Sequence, residues 1–276
     1  MHKLLKAALF AAGAVAAAAA AAVVLTAPGR ATDEEKEKLY GRNVAHRGLH
    51  DEAGTVPENS LAAFRAAAEA GYGAELDVHL TADNELAVLH DNNTLRMCGV
   101  DQPVEEADLP ALKELRLGDT DEQIPTLKEA LDAIGGSGPV ILELKSGSRN
   151  DTLCEKALEV IRGYDGDLCV ESFDPRIVAW FRKHAPDILR GQLSSTYRDL
   201  RKDANSLIAF ALSRGLTNVI ARPQFIAHGP GRKSLLIRLS ERMGALSVAW
   251  TDRSGEAQQN NDAVIFEFYR PLPQFK

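Results

Sequence analysis

From Asn43 to Phe266 the chain alternates short apolar runs with amphipathic runs of helical period, and this alternation limits the fold more than any other feature. "NVAHR", "AELDVHL", "ELAVLH", "PVILELK", "LCVESF", "RGQLS", "NVIAR", "ALSVAWT" and "AVIFEF" read as strands. "PENSLAAFRAAAEAG", "TLKEALDAI", "NDTLCEKALEVIRGY" and "PRIVAWFRKHA" read as helices between them. The first helix has Asn59 or Ser60 as its N-terminal cap and Gly71 as its stop. Apolar strands separated by helices imply a parallel sheet covered by helices. About eight strands fit the chain, and 276 residues suit one such unit, so the expected fold is an α/β barrel of the TIM type. No Gly-rich dinucleotide fingerprint supports the doubly wound alternative. Two segments break the rhythm: residues 92–125, an insertion after the second strand pair, and residues 195–216, which carry "SLIAFAL".

The first 27 residues stand apart. Lys3 and Lys6 precede Ala7–Ala27, which has no charge. As a helix this run spans roughly 31 Å, the thickness of a hydrocarbon core. It is longer than the apolar region of an ordinary signal peptide. The reading is a transmembrane anchor, with a cleaved signal peptide as the alternative. Both lysines lie before it, so the remainder is expected outside the cytoplasm, anchored or secreted after cleavage. Residues 28–42 are a polar linker, and residues 43–276 form the working domain.

In a barrel of this type, chemistry gathers at the C-terminal ends of the strands. Polar residues cluster at those ends here. The first strand ends in His46 and Arg47, and Gly48 lets the backbone turn sharply beside them. The second strand carries Glu75 and Asp77, and "AVLHD" carries His90 and Asp91. "ILELK" carries Glu143 and Lys145. Glu75 and Asp77, two apart on a strand, point to one face, as do Glu143 and Lys145. If those faces look into the barrel, three carboxylates converge. Burying them unpaired is very costly, and a divalent cation resolves the cost. Oxygen-only ligands suit Mg²⁺ or Ca²⁺ better than zinc. His46 and His90 can work as acid and base near neutral pH. Arg47 and Lys145 add positive charge suited to a phosphate. Each residue alone has a bland structural explanation; the pattern repeated at four strand ends does not.

"AHRG", "PENS", "ELDV", "LHD" and "ELK", in this order, resemble the glycerophosphodiester phosphodiesterases, over most of the chain from Asn43. The resemblance implies a TIM barrel with an insertion after the second strand. It implies hydrolysis of glycerophosphodiesters to glycerol 3-phosphate and an alcohol. Glu75, Asp77 and Glu143 would hold one divalent cation, Mg²⁺ or Ca²⁺. His46 and His90 would be the acid–base pair, Arg47 and Lys145 would bind phosphate, and Glu58 of "PENS" would orient His46 and Arg47. The sequence departs from the family near its end, with "AWTDR" and "FEFYRP" in place of the usual "WTVN"-like and "TD-x-P"-like stretches. Trp250 is retained and is expected in the substrate pocket.

Other classes stay in view. A lysophospholipase D-like activity on intact lysolipids would use the same site. A catalytically silent, membrane-tethered binder of phosphodiesters would not need the full set of histidines and carboxylates. The net charge of −7 argues against general nucleic-acid binding. Residues 190–242, however, hold ten Lys/Arg against three Asp/Glu, a basic and partly apolar stretch that is a second candidate membrane contact beside the N-terminal helix. Cys98, Cys154 and Cys169 have neither zinc spacing nor the number for a disulfide framework and read as structural.

Overall fold

The structure, a computed structural model, describes residues 2–276. It contains nine strands: β1 Asn43–Ala45, β2 Gly73–Leu80, β3 Leu86–Val88, β4 Val140–Leu144, β5 Leu168–Ser172, β6 Leu189–Ser194, β7 Phe225–His228, β8 Leu246–Asp252 and β9 Ala263–Phe266. All except β3 pair in parallel, and β1 closes the sheet by pairing with both β2 and β9. The result is an eight-stranded parallel barrel, as expected from the alternation, with β3 added antiparallel on β2.

The helices, in chain order, are α1 His2–Thr26, α2 Asp33–Glu37, α3 Leu61–Glu69, α4 Leu95–Cys98, α5 Leu109–Lys113 and α6 Leu127–Ile134. They continue with α7 Asn150–Ile161, α8 Pro175–His184, α9 Tyr197–Leu200, α10 Ser206–Arg214, α11 Asn218–Ala221 and α12 Leu235–Arg242. Caps set several of their starts. The Ser60 hydroxyl accepts from Ala63 N at the head of α3, and Thr126 with Glu129 forms a capping box on α6. The outer faces of the strands and the inner faces of these helices make one core around Leu76, Val78, Leu142, Phe64 and Phe181. Each fully buried side chain of this size stabilises the fold by about 1.5–3 kcal/mol.

The barrel interior is layered. Val44, Ile141, Cys169, Leu189, Phe225 and Leu246 fill it from below with apolar side chains. One step up the strands, the row turns acidic. Asp77, Glu143 and Glu171 are successive register partners across β2, β4 and β5. The row ends where Glu171 meets Gly191 on β6. A Cβ at Gly191 would lie 2.0 Å from the Phe225 ring, so only glycine leaves room for that ring beside the acidic row.

Two features lie outside the repeat. Residues 92–125 carry α4 and α5 and bury their own small cluster of Leu89, Val104, Leu112, Leu117 and Ile124. The segment between β6 and β7 carries α9, α10 and α11. Here one sequence expectation fails: "NVIAR" is not a strand, and the strand begins three residues later at Phe225. Pro223 explains the delay, since it lacks a donor for the ladder. Asn218 explains the helix, because α11 buries its side chain against Thr26 O and Ser240 Oγ at 3.3 and 3.1 Å. Local partners thus override the β-preference of Val219 and Ile220.

α1 projects mostly exposed apolar side chains, with Leu9, Phe10 and Val15 between 65% and 81% exposed. Only its root is docked. Arg222 Nη1 donates to the carbonyls of Val24 and Ala27, both at 2.9 Å, satisfying acceptors that a helix end leaves open. After it, α2 is held by a Thr32/Glu35 capping box, and Leu39 is fully buried at the foot of the barrel interior.

Candidate active site

At the C-terminal end of the barrel, Glu75, Asp77 and Glu143 each offer an oxygen within 4.8 Å of the others, and all three are buried. Lys145 Nζ lies 2.8 Å from both Asp77 and Glu143. Arg47 adopts a left-handed backbone, φ 53°, which turns the chain so that its amide donates to Glu75 at 3.0 Å. Its guanidinium donates to Glu58 at 2.8 Å and lies 3.4 Å from Asp77. The amide of Asn59 donates to Asp77 at 2.8 Å.

Burial and crowding set the charges. Burial, with the charges of Asp77, Glu143 and Glu171 behind it, pushes the Glu75 carboxyl well above the usual range. Burial likewise drives Glu143 up to about 7, against the pull of Lys145. Asp77 goes the other way: burial opposes ionisation, but Lys145 and Arg47 outweigh it and hold the carboxyl well below the usual range. Lys145 is buried too, yet its two carboxylate neighbours keep it firmly protonated.

The two histidines are oriented alike. His46 Nδ1 donates to Glu267 Oε1 at 2.8 Å, and its Nε2 stands 3.9 Å from Glu75. Burial pushes Glu267 up, but hydrogen bonds from His46 and His50 and the Arg253 ion pair win and keep it well below the usual range. An ionised carboxylate only accepts, so Nδ1 carries the proton and Nε2 keeps its lone pair. His90 Nδ1 pairs with Asp91 Oδ1 at 2.7 Å in the same way. Burial and then Lys145 lower His90 to about 4, and burial lowers His46 as well. His46 thus faces Glu75, and the Leu89 amide, which donates to the Asp77 carbonyl at 3.1 Å, brings the strand end that carries His90 beside Asp77.

The structure therefore brings together His46, Arg47, Glu58, Glu75, Asp77, His90, Glu143 and Lys145. Trp250 stands edge-on to Phe173 at 5.6 Å, and both line a cavity that also reaches Ser146, the residue after Lys145. Sequence reasoning missed Glu171, Glu267, Asn59 and Arg96. The first two had a signal: each ends an apolar run, in "CVESF" and "VIFEF", as Glu143 does in "ILELK". Asn59 looked like a cap only. Arg96 lies in the insertion and reaches back to Glu58 and Asp91 at 2.7 and 2.6 Å.

The donor set fits a hard divalent cation. Fully ionised, Glu75, Asp77, Glu143 and Glu171 would set four buried carboxylates against two cations, Arg47 and Lys145, and the upward push on Glu75, Glu143 and Glu171 reflects that crowding together with burial. Glu171 Oε2 is buried with no hydrogen-bond partner. An oxygen-rich, carboxylate-dense pocket of this kind suits a hard divalent cation better than a soft metal.

Comparisons with known proteins agree. The sequence profile of the glycerophosphoryl diester phosphodiesterase family matches residues 46–266. A glycerophosphodiester phosphodiesterase of Caldanaerobacter subterraneus subsp. tengcongensis is 33% identical over 184 residues, 60% of this chain and 74% of that one. A lysophospholipase D of Rattus norvegicus is 30% identical over 154 residues, and the match spans 47% of that protein. Among solved structures, an Oleispira antarctica phosphodiesterase in complex with sn-glycerol-3-phosphate superposes with a TM-score of 0.67 at 22% identity, covering 82% of this chain and 93% of that one. A glycerophosphodiester phosphodiesterase from Thermotoga maritima superposes at 0.61 with 26% identity, covering 81% and 92%. This chain belongs to the glycerophosphoryl diester phosphodiesterase family and is a phosphoric diester hydrolase.

Proposed function

We propose that the protein hydrolyses glycerophosphodiesters to glycerol 3-phosphate and an alcohol, using His46 and His90 for proton transfer beside a divalent cation held by Glu75, Asp77 and Glu143. One observation carries the reading: two imidazoles with the same nitrogen tied to a carboxylate stand around one buried carboxylate cluster. The bound cation would neutralise phosphate oxygens and lower the pKa of a coordinated hydroxyl.

The chain's own groups supply the rest. Arg47 and Lys145, fixed by Glu58, Asp77 and Glu143, present their remaining donors to the phosphate. The glycerol 2-hydroxyl attacks phosphorus as one histidine Nε2 takes its proton. The bond from phosphorus to the leaving oxygen breaks as the other histidine protonates that oxygen. Water then opens the cyclic glycerol phosphate with the proton roles reversed. Holding both nucleophile and base in place before reaction removes much of the entropic barrier. The test is glycerol 3-phosphate release from glycerophosphocholine by the full chain and by His46→Asn and His90→Asn. Losses of about 10²–10⁴-fold in each variant are expected. Wild-type rates in either would remove that histidine from the mechanism.

The setting of the reaction is part of the proposal. α1 has 25 residues, long and apolar enough to cross a membrane, and both of its lysines lie before the apolar run. We read it as an anchor that holds the barrel against the outer face of the cytoplasmic membrane.

A further inference from the structure

His50 is a nearly buried imidazole that the mechanism above leaves without a task. Its side chain is 7% exposed, and its ring meets Phe268 edge-on at 5.1 Å. Its Nε2 stands 3.1 Å from Glu267 Oε1, the same oxygen that accepts from His46 Nδ1 at 2.8 Å. Arg253 Nε donates to the other oxygen of Glu267 at 2.7 Å, so Oε1 is left to the two histidines. His46, His50 and Glu267 each offer a metal-ligand atom within 4.8 Å of the others, and this cluster shares no residue with Glu75, Asp77 and Glu143.

The two clusters differ in chemistry. Three carboxylates offer only oxygen and suit a hard cation. Two imidazoles and one carboxylate are a set that Zn²⁺ takes, with a fourth position left for water. The spacing is close to what that ion needs. Bonds of about 2.0–2.1 Å from a tetrahedral Zn²⁺ put neighbouring ligand atoms roughly 3.3 Å apart. The carboxylate oxygen and the two ring nitrogens, now 2.8 and 3.1 Å apart, need only spread slightly to admit it.

Resting on the phosphodiesterase reading above, we propose that His46, His50 and Glu267 form an inhibitory Zn²⁺ site that switches the enzyme off by changing the tautomer of His46. The ion takes the lone pair of Nδ1, and the proton that Nδ1 now gives to Glu267 moves to Nε2 of the same ring. His50 changes in the opposite sense: Nε2 binds the ion and Nδ1 takes the proton. Both rings stay neutral, so the exchange releases no proton. His46 Nε2, 3.9 Å from Glu75, then turns an N–H toward the carboxylate centre in place of a lone pair. It has no lone pair to accept the proton of the attacking hydroxyl, and a neutral imidazole N–H is too weak an acid to serve as the donor. The cation at the carboxylates and the phosphate contacts of Arg47 and Lys145 are untouched. Zn²⁺ thus stops proton transfer and leaves substrate binding in place.

The test uses the full chain with Ca²⁺ or Mg²⁺ in millimolar excess and reads glycerol 3-phosphate release from glycerophosphocholine against micromolar Zn²⁺. Zn²⁺ is expected to lower kcat at least tenfold with KM little changed, and more Ca²⁺ or Mg²⁺ should not restore it. In His50→Gln, whose amide still donates to Glu267 but is a poor zinc ligand, the Zn²⁺ concentration for half-inhibition should rise about tenfold or more. Reversal by added Ca²⁺ or Mg²⁺ would put Zn²⁺ at the carboxylates and overturn the proposal. Full activity in Zn²⁺, or equal sensitivity of wild type and His50→Gln, would overturn it too. Co²⁺ reads the site without turnover. With Ca²⁺ or Mg²⁺ in excess, Co²⁺ should give the wild type the visible absorption of a tetrahedral centre, and His50→Gln and His46→Asn should each lose it. No such absorption in the wild type overturns the site. Absorption that needs both histidines, in a chain that releases no glycerol 3-phosphate with any ion, supports the site and defeats the hydrolytic reading instead.

Discussion

Glu267 shows how much one side chain can decide. It touches no substrate in this account, yet its Oε1 accepts from both His46 and His50, at 2.8 and 3.1 Å, while Arg253 holds its other oxygen. Its task is to fix which nitrogen of His46 is free. Glu267→Ala should therefore lower kcat about 10²-fold or more and change KM little, since the substrate's own contacts remain. Glu267→Asp should recover part of the loss. Equal damage to KM and to thermal stability, with kcat intact, would mean that Glu267 is only structural. The role was half legible in the sequence. "FEFYRP" drew notice as a departure from the family, but that Glu267 meets His46, 221 residues away, follows only from closure of the barrel between β1 and β9.

At the scale of elements, the insertion after the second strand pair is clamped to the strand ends by one arginine. Arg96 of α4 bonds Glu58, which precedes α3, and Asp91, which follows β3. Against the cost of burial, the Arg96 and His90 hydrogen bonds bring Asp91 down to about 2. A carboxyl with a depressed folded pKa stabilises the fold above its unfolded value, near 3.9, and that contribution fades as pH falls toward 2. Asp91→Asn should thus lower Tm at pH 6, by the equivalent of roughly 1–2 kcal/mol after allowing for partial exposure, and the gap should close as pH drops below 4. A gap that is constant with pH would mean packing, not charge, holds the clamp. Element types were readable from period and caps: Ser60 and Thr126 mark helix starts that the structure keeps. α11 was not, because its helix depends on a buried asparagine bonded to residues 26 and 240, which no local pattern reports.

For the whole molecule, sequence and structure meet in the acidic row. The two-residue spacings of Glu75 with Asp77 and Glu143 with Lys145 already placed these side chains on shared faces. Parallel register then set Asp77, Glu143 and Glu171 level with one another across three strands. Glu171 ends an apolar run as Glu143 does, but that it stands level with Asp77 and Glu143 is a property of the sheet's register, which the run alone does not report. The same holds for α1, whose composition marks a membrane anchor or a signal sequence but whose docking through Arg222 depends on the fold. The full chain should remain in the membrane pellet after an alkaline carbonate wash; its release to the supernatant would contradict the anchor. The central claim is that four buried carboxylates and two cations make a site that works only with a divalent cation. Glycerol 3-phosphate release from glycerophosphocholine, measured on the full chain after EDTA and again after adding back Mg²⁺ or Ca²⁺, tests it most directly. Release abolished by EDTA and restored by one of these ions is the expected result; undiminished release in EDTA would contradict it.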